Sequence, residues 1–253
     1  MSLRPETRRA ARRPAPALGP EAPIAAERLQ ALAAELGLAL SDAQCAALLA
    51  YAQLLRRWNR VHNLTAIDSP AQLLSHHILD SLSIAVPLAS IVRMRGIVPA
   101  RADPARAGAS FLDAGSGAGL PGIPLAIAWP GWRAHFVDAV GKKCAFLRQA
   151  CVELGLAGAT VHHARLESLR LEPQPLIVAR AFASLKDFVA LTRPLLATGG
   201  IWAAMKGRNP LAEIRELPPG IEVLDTVTLR VPTLQEQRHL VVLAQAADAP
   251  GAS

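Results

Sequence analysis

Only three cysteines occur in the 253 residues, at positions 45, 144 and 151. Cys144 and Cys151 are seven apart and share one face of a predicted helix. Neither has a histidine or further cysteine at ligand spacing, so the chain offers no metal motif, and buried, reduced thiols are expected. Long apolar runs are missing too. No stretch reaches the ~18 uninterrupted apolar residues a spanning helix needs, and the N-terminal MSLRPETRRAARRPAPALGPEAP has no apolar core of the signal-peptide kind. A cytoplasmic protein without a membrane partner is expected. Charge is sparse: 19% of residues are charged against 51% hydrophobic, a composition that collapses rather than remaining disordered. What charge there is leans positive, with a net +7 and a pI near 10.1. That balance suits a polyanionic partner, although five of the arginines fall within the first 13 residues. A recognisable His/Asp or Ser/His catalytic pair is also lacking, and no obligate protein partner is evident.

What is present falls into segments. Residues 1–23 are rich in Ala, Pro and Arg without periodicity and are expected to be a disordered basic tail. Helical patterning runs over 24–91. Ser41 with Gln44 forms a capping-box pattern, and Ser69, Pro70 and Gln72 mark a second helix start. A basic, Pro/Gly-rich stretch over 92–109 reads as a loop. Over 110–246 strands and helices alternate, from SFLDA through GGIWAAMKG, and the last two strands, IEVLDTVTLRV and RHLVVLAQ, have only a short connection. This predicts an α/β domain with a mostly parallel sheet that finishes on an inserted antiparallel strand, the layout of Rossmann-like methyltransferases. Residues 247–253 are expected to be a flexible end.

The chemistry concentrates in FLDAGSGAGLPGIPLAIAW, residues 111–129. Its glycines at 115, 117, 119 and 122 read either as G-x-G-x-G or, over the last three, as the dinucleotide fingerprint. Gly115 and Gly117 leave room for a ligand to approach the backbone. Asp138, 23 residues past Gly115, can accept hydrogen bonds from ribose hydroxyls under either reading. The helix start separates them. Pro121 and Pro124 remove N–H groups that a pyrophosphate would use, whereas a sulfonium cofactor carries no phosphate and loses nothing.

Six blocks in order, WNRVHNLTAI with HHILDSL, DAGSGAGLPGIPLAI, VDAVGKKCAFLRQ, ARLES, ARAFASL and MKG, resemble the RsmG (GidB) family of 16S rRNA guanine-N7 methyltransferases from about residue 24 to 245. The resemblance implies a class I methyltransferase fold of seven strands with a small N-terminal helical unit, S-adenosyl-L-methionine as cofactor, and 16S rRNA or the small ribosomal subunit as partner. By the same resemblance the target is guanosine 527 of 16S rRNA. It places cofactor contacts on Gly115, Leu120, Asp138, Ala139, Val140, Leu166, Glu167 and Arg180. For Arg180 a salt bridge to an acid across the sheet is the alternative.

Guanine N7 has a free lone pair, so methyl transfer to it needs no strong base, and catalysis is expected to rest on positioning. Candidates for the RNA side are Asn59, Asn63, Thr65, His77, Lys142, Lys143, Arg165 and Lys206. Trp58, at helical spacing from Leu54, Leu55 and Val61, is expected in the core. Two other functions remain open at this stage, a NAD-dependent oxidoreductase and a ribosome-binding protein without catalysis.

Overall fold

The central strands are continuous apolar runs whose successive side chains point to opposite faces, and this decides where the two cores sit. The computed structural model describes residues 25–97 and 109–246. The expected tail over 1–23, most of the expected 92–109 loop and the C-terminal 247–253 lie outside the described residues. Three helices come first. Helix α1 spans Ala26–Glu35 and α2 spans Asp42–His62. The capping box forms as expected: Gln44 N–H donates to Ser41 Oγ at 3.2 Å, and Ser41 N–H donates to Gln44 Oε1 at 2.9 Å. Helix α2 stops at Asn63, which takes a left-handed φ of 48° that asparagine tolerates better than most residues.

The long apolar helix α3 (Pro70–Met94) starts where Ser69 Oγ accepts from Gln72 N–H at 3.3 Å. It departs from expectation in two ways. It continues to Met94, into the stretch expected to be loop. Its segment Leu73–Leu79 winds as a π-helix, a form concentrated at functional sites. By length and composition this helix could cross a membrane, but 67% of its apolar window is buried inside the fold, as befits a core helix.

The alternating part follows as β1 (Ser110–Ala114), α4 (Gly122–Ala128), β2 (Arg133–Asp138), α5 (Gly141–Glu153), β3 (Ala159–His163), β4 (Gln174–Arg180), α6 (Leu185–Thr192), β5 (Leu196–Lys206), α7 (Leu211–Arg215), β6 (Ile221–Leu229) and β7 (Arg238–Gln245). One sheet of seven strands results, in the order β3-β2-β1-β4-β5-β7-β6. Strands β1 to β5 pair in parallel, and β7 runs antiparallel to both β5 and β6. The short β6–β7 link explains this ending, because a parallel pair needs a crossover of a dozen or more residues. The architecture is a mostly parallel α/β sheet with an inserted antiparallel strand.

Period-2 alternation sends Leu176 and Val178 of β4 to one face and Ile177 and Ala179 to the other. The first face packs against α4, α5 and all three N-terminal helices in one continuous core, in which Leu48, Leu55, Leu79, Phe111, Ile123 and Phe146 are fully buried. The second is covered by α6, with Phe188 and Trp202 at its centre. Trp58, expected in the core, is half-buried at its margin, where it packs edge-on against Phe146 at 5.6 Å, and Val61 is exposed. Cys45 and Cys144 are buried free thiols, while Cys151 is only half-buried, because its position on α5 lies at the margin of the core.

Strand order reverses direction between β1 and β4. In open α/β sheets ligands bind beyond the carboxyl ends of the strands at such a switch point. The glycine-rich segment leaves β1 at that point.

Candidate active site

The four glycines have different duties. Gly115 and Gly117 adopt φ of +71° and +58°, where side-chain-bearing residues are strained. A Cβ added to Gly115 would meet nothing within 4 Å, so open space lies over it. Gly119, also left-handed at a φ of +84°, and Gly122 pack tightly. A Cβ on Gly119 would strike Ile123 and crowd Leu147, and one on Gly122 would strike Asp113 and Phe136. Open space therefore lies over Gly115, Gly117 holds the chain in its turn, and Gly119 and Gly122 let α4 settle onto the sheet.

Two side chains fix the loop. Asp138 Oδ2 accepts from Gly117 N–H at 3.0 Å and its Oδ1 accepts from Val140 N–H at 2.8 Å. Ser116 Oγ accepts from Val137 N–H at 3.1 Å and donates to the Asp113 carbonyl at 2.8 Å. An ionised carboxylate has about four acceptor positions, so Asp138 keeps capacity for ribose hydroxyls after making both backbone bonds. Lys143 Nζ stands 3.5 Å from Asp138 Oδ2.

The start of α4 offers no anion site. Gly122 N–H donates to Asp113 Oδ2 at 3.1 Å, Ile123 N–H donates to the Gly119 carbonyl at 2.7 Å, and Pro121 and Pro124 have no N–H. In the first turn of α4, every amide that could meet a pyrophosphate is absent or committed. Burial raises the carboxyl of Asp113 to about 7, against the lowering effect of the Gly122 N–H. This supporting role for Asp113 was not anticipated from sequence.

Gly115, Asp138, Ala139, Arg165, Leu166 and Glu167 line one cleft of about 240 Å³ with Val137 and Ala164. Val140 lies beside it and is exposed. Leu120 does not reach it: its side chain is buried in the core beneath the loop. Arg180 stands on the other side of the switch point, lining a second cleft of about 450 Å³ together with Lys206.

There Arg180 joins a network that the sequence did not announce. Its Nη1 lies 2.9 Å from Asp80 Oδ2 and donates to the His76 carbonyl at 2.8 Å. Arg238 Nε lies 3.2 Å from the other Asp80 oxygen. The expected alternative of a salt bridge for Arg180 is thus realised, with an acid of α3 rather than of the sheet. Arg180 Nη2 approaches His77 Nδ1 at 3.3 Å, and His77 Nε2 approaches Thr65 Oγ1 at 2.8 Å. Arginine has no acceptor, so His77 Nδ1 must accept and Nε2 must carry the proton. Burial and the Arg180 charge accordingly lower His77 to about 4. Thr65 N–H in turn donates to Asn59 Oδ1 at 2.8 Å. His77 and Asn59 are buried, whereas Asn63 is exposed at the end of α2.

The candidate lysines differ as well. Lys142 donates to the His62 carbonyl at 2.8 Å, tying α5 to the end of α2. Lys206 is buried and lies 2.7 Å from Glu213 Oε2. Arg165 is exposed at the lip of the first cleft. Among the described residues no cluster of three or more His, Cys, Asp or Glu could hold a metal ion.

Comparison with known proteins adds a family. Residues 44–241 match the family model described as GidB, rRNA small subunit methyltransferase G. The chain is 49% identical over 215 residues to the ribosomal RNA small subunit methyltransferase G of Leptothrix cholodnii, covering 85% of this chain and 93% of that one. Its namesake from Burkholderia thailandensis is 50% identical over 231 residues, covering 87% and 94%. This chain belongs to the rRNA small subunit methyltransferase G family. It is a methyltransferase, and neither the oxidoreductase nor the non-catalytic alternative finds support among these relatives. A SAM-dependent methyltransferase from Aquifex aeolicus superposes with a TM-score of 0.48 at 15% identity, over 72% of this chain and 96% of that one.

Proposed function

We propose that this methyltransferase uses S-adenosyl-L-methionine to methylate N7 of a guanosine in small-subunit rRNA, in the cytoplasm where ribosomes assemble. The observation that carries the cofactor assignment is the start of α4, where proline and committed amides leave nothing for a pyrophosphate while Gly115 stays open above a carboxylate. Gly115, Asp138, Ala139, Leu166 and Glu167 are the residues that would hold the nucleoside end. When bound, S-adenosyl-L-methionine supplies a methyl group on an electron-poor sulfur.

The guanine substrate brings its own nucleophile. N7 carries a lone pair and no proton, so the protein has to orient the base and exclude water rather than remove a proton. His77 fits that absence of base chemistry, since both of its ring nitrogens are engaged. Arg180, fixed by Asp80 and the His76 carbonyl, holds a positive charge at the edge between the clefts.

Target choice rests on the family's printed description and on the net charge of +7. The test is direct. Purified protein is titrated with S-adenosyl-L-methionine and, separately, with NADH, and tritiated methyl transfer is followed on small subunits from cells lacking this chain. Binding of the first ligand alone and label in 7-methylguanosine support the proposal; NADH binding alone, or unlabelled RNA, overturns it.

A further inference from the structure

The second cleft is lined by an aromatic residue that is only partly buried against the core. It opens at the carboxyl ends of β4 and β5, across the switch point from the first cleft, and includes Phe182 and Arg208. Ala181, between Arg180 and Phe182, adopts a φ of 58°, a left-handed conformation that a residue with a Cβ keeps only where its surroundings impose it, commonly at ligand sites. Lys206 Nζ donates to the Phe182 carbonyl at 3.3 Å and is itself held by Glu213 at 2.7 Å. The Phe182 ring leans on that of Phe188 at 5.3 Å. Phe188 is fully buried, whereas Phe182 is half-buried and lines the cleft. A strained turn, a buried ammonium and a core ring therefore combine to hold one aromatic face at the opening. Arg208, at the lip, is exposed and has no ion pair among the described residues.

Chemistry on a stacked base requires that the base leave its stack, and a flat apolar face then replaces the lost neighbour. We propose that Phe182 is the stacking face for the target guanine once it is turned out of the RNA, with Arg208 meeting the adjacent phosphate. This assignment rests on the function proposed above. Lys206 and Glu213 act through Phe182 as positioning residues.

The test compares Phe182→Ala, Phe182→Leu and Phe182→Tyr with the wild-type chain, measuring methyl transfer to small subunits from cells lacking it and the affinity for S-adenosyl-L-methionine. Loss of base–aromatic stacking predicts that kcat falls roughly tenfold or more in the Ala and Leu variants and stays within about threefold of wild type for Tyr. Cofactor affinity should hold within about twofold in all of them, since Phe182 lies outside the first cleft. If Leu keeps the kcat of Tyr, or Tyr falls as far as Leu, the stacking assignment is overturned although the protein remains a methyltransferase. A wild-type chain that labels no small-subunit RNA overturns the proposed function and this assignment with it.

Discussion

Arg180 at the end of β4 and Asp80 of α3 lie 2.9 Å apart, so the sheet and the N-terminal helices meet in a buried ion pair at the edge of the second cleft. The pair joins segments 100 residues apart in sequence and shares its carboxylate with Arg238 of β7. Removing the carboxylate leaves two largely buried guanidinium groups without their counterion. Asp80→Ala is expected to cost about 3 kcal/mol or more in urea unfolding, with Asp80→Asn losing less. A change below about 0.5 kcal/mol would show that the pair is structurally idle.

The glycines separate stability from ligand binding. Gly119→Ala and Gly122→Ala force a methyl group into Ile123 and into Asp113 with Phe136, and each clash is expected to destabilise the fold by about 1–3 kcal/mol, to which the left-handed φ of Gly119 adds about 1–2 kcal/mol. Gly115→Ala meets only backbone strain, about 1–2 kcal/mol for a left-handed residue. Its main effect should be weaker binding of S-adenosyl-L-methionine. Calorimetric titration alongside thermal unfolding checks both, and Gly115→Ala with unaltered cofactor affinity would contradict the assignment of open space to a ligand.

Between pH 4 and 7, two buried groups act in opposite directions. His77 is lowered from 6.5 to about 4, so the unfolded chain binds more protons in that interval; its stabilising contribution is complete above 6.5 and disappears as pH falls towards 4. Asp113 is raised from 3.8 to about 7, so its contribution is complete below 3.8 and is lost as pH rises through 7. Total stability blends the two, but difference curves resolve them. Wild type minus His77→Gln should grow with rising pH across the interval, and wild type minus Asp113→Asn should shrink. Urea unfolding at half-unit pH steps provides both curves, and a flat difference for either variant would remove that group from the account.

Arg208 makes a separable prediction. An exposed cation that meets a phosphate contributes to affinity through counterion release, so Arg208→Ala should weaken binding to small subunits and lower the slope of log affinity against log salt by about 1. Filter binding at graded salt measures it. An unchanged slope would place Arg208 away from the RNA.

Much of the fold was legible because its signals are local. Ser41 and Gln44 sit three residues apart and cap one helix, short apolar runs taking turns with helical segments mark the strands, and a short β6–β7 connection forces the antiparallel ending. The glycine segment was legible in composition but not in division of labour, since only the fold shows that Gly119 and Gly122 abut Ile123 and Asp113 while Gly115 abuts nothing. The π-helical turn over Leu73–Leu79 leaves no periodic trace that separates it from an ordinary helix. Asp80, Arg180 and Arg238 come from three distant segments, and no spacing rule links them. Phe182 carried no signal of its own; its meaning depends on the left-handed Ala181 and on Lys206, 24 residues further on.

The central claim is methyl transfer to one guanine N7, and mass spectrometry of the product RNA tests it most directly. Small subunits from cells lacking this chain are incubated with the purified protein and S-adenosyl-L-methionine, and their 16S rRNA is digested and mapped. A single new 7-methylguanosine is the predicted result. No added methyl group, or one on a ribose or another base position, would contradict the account.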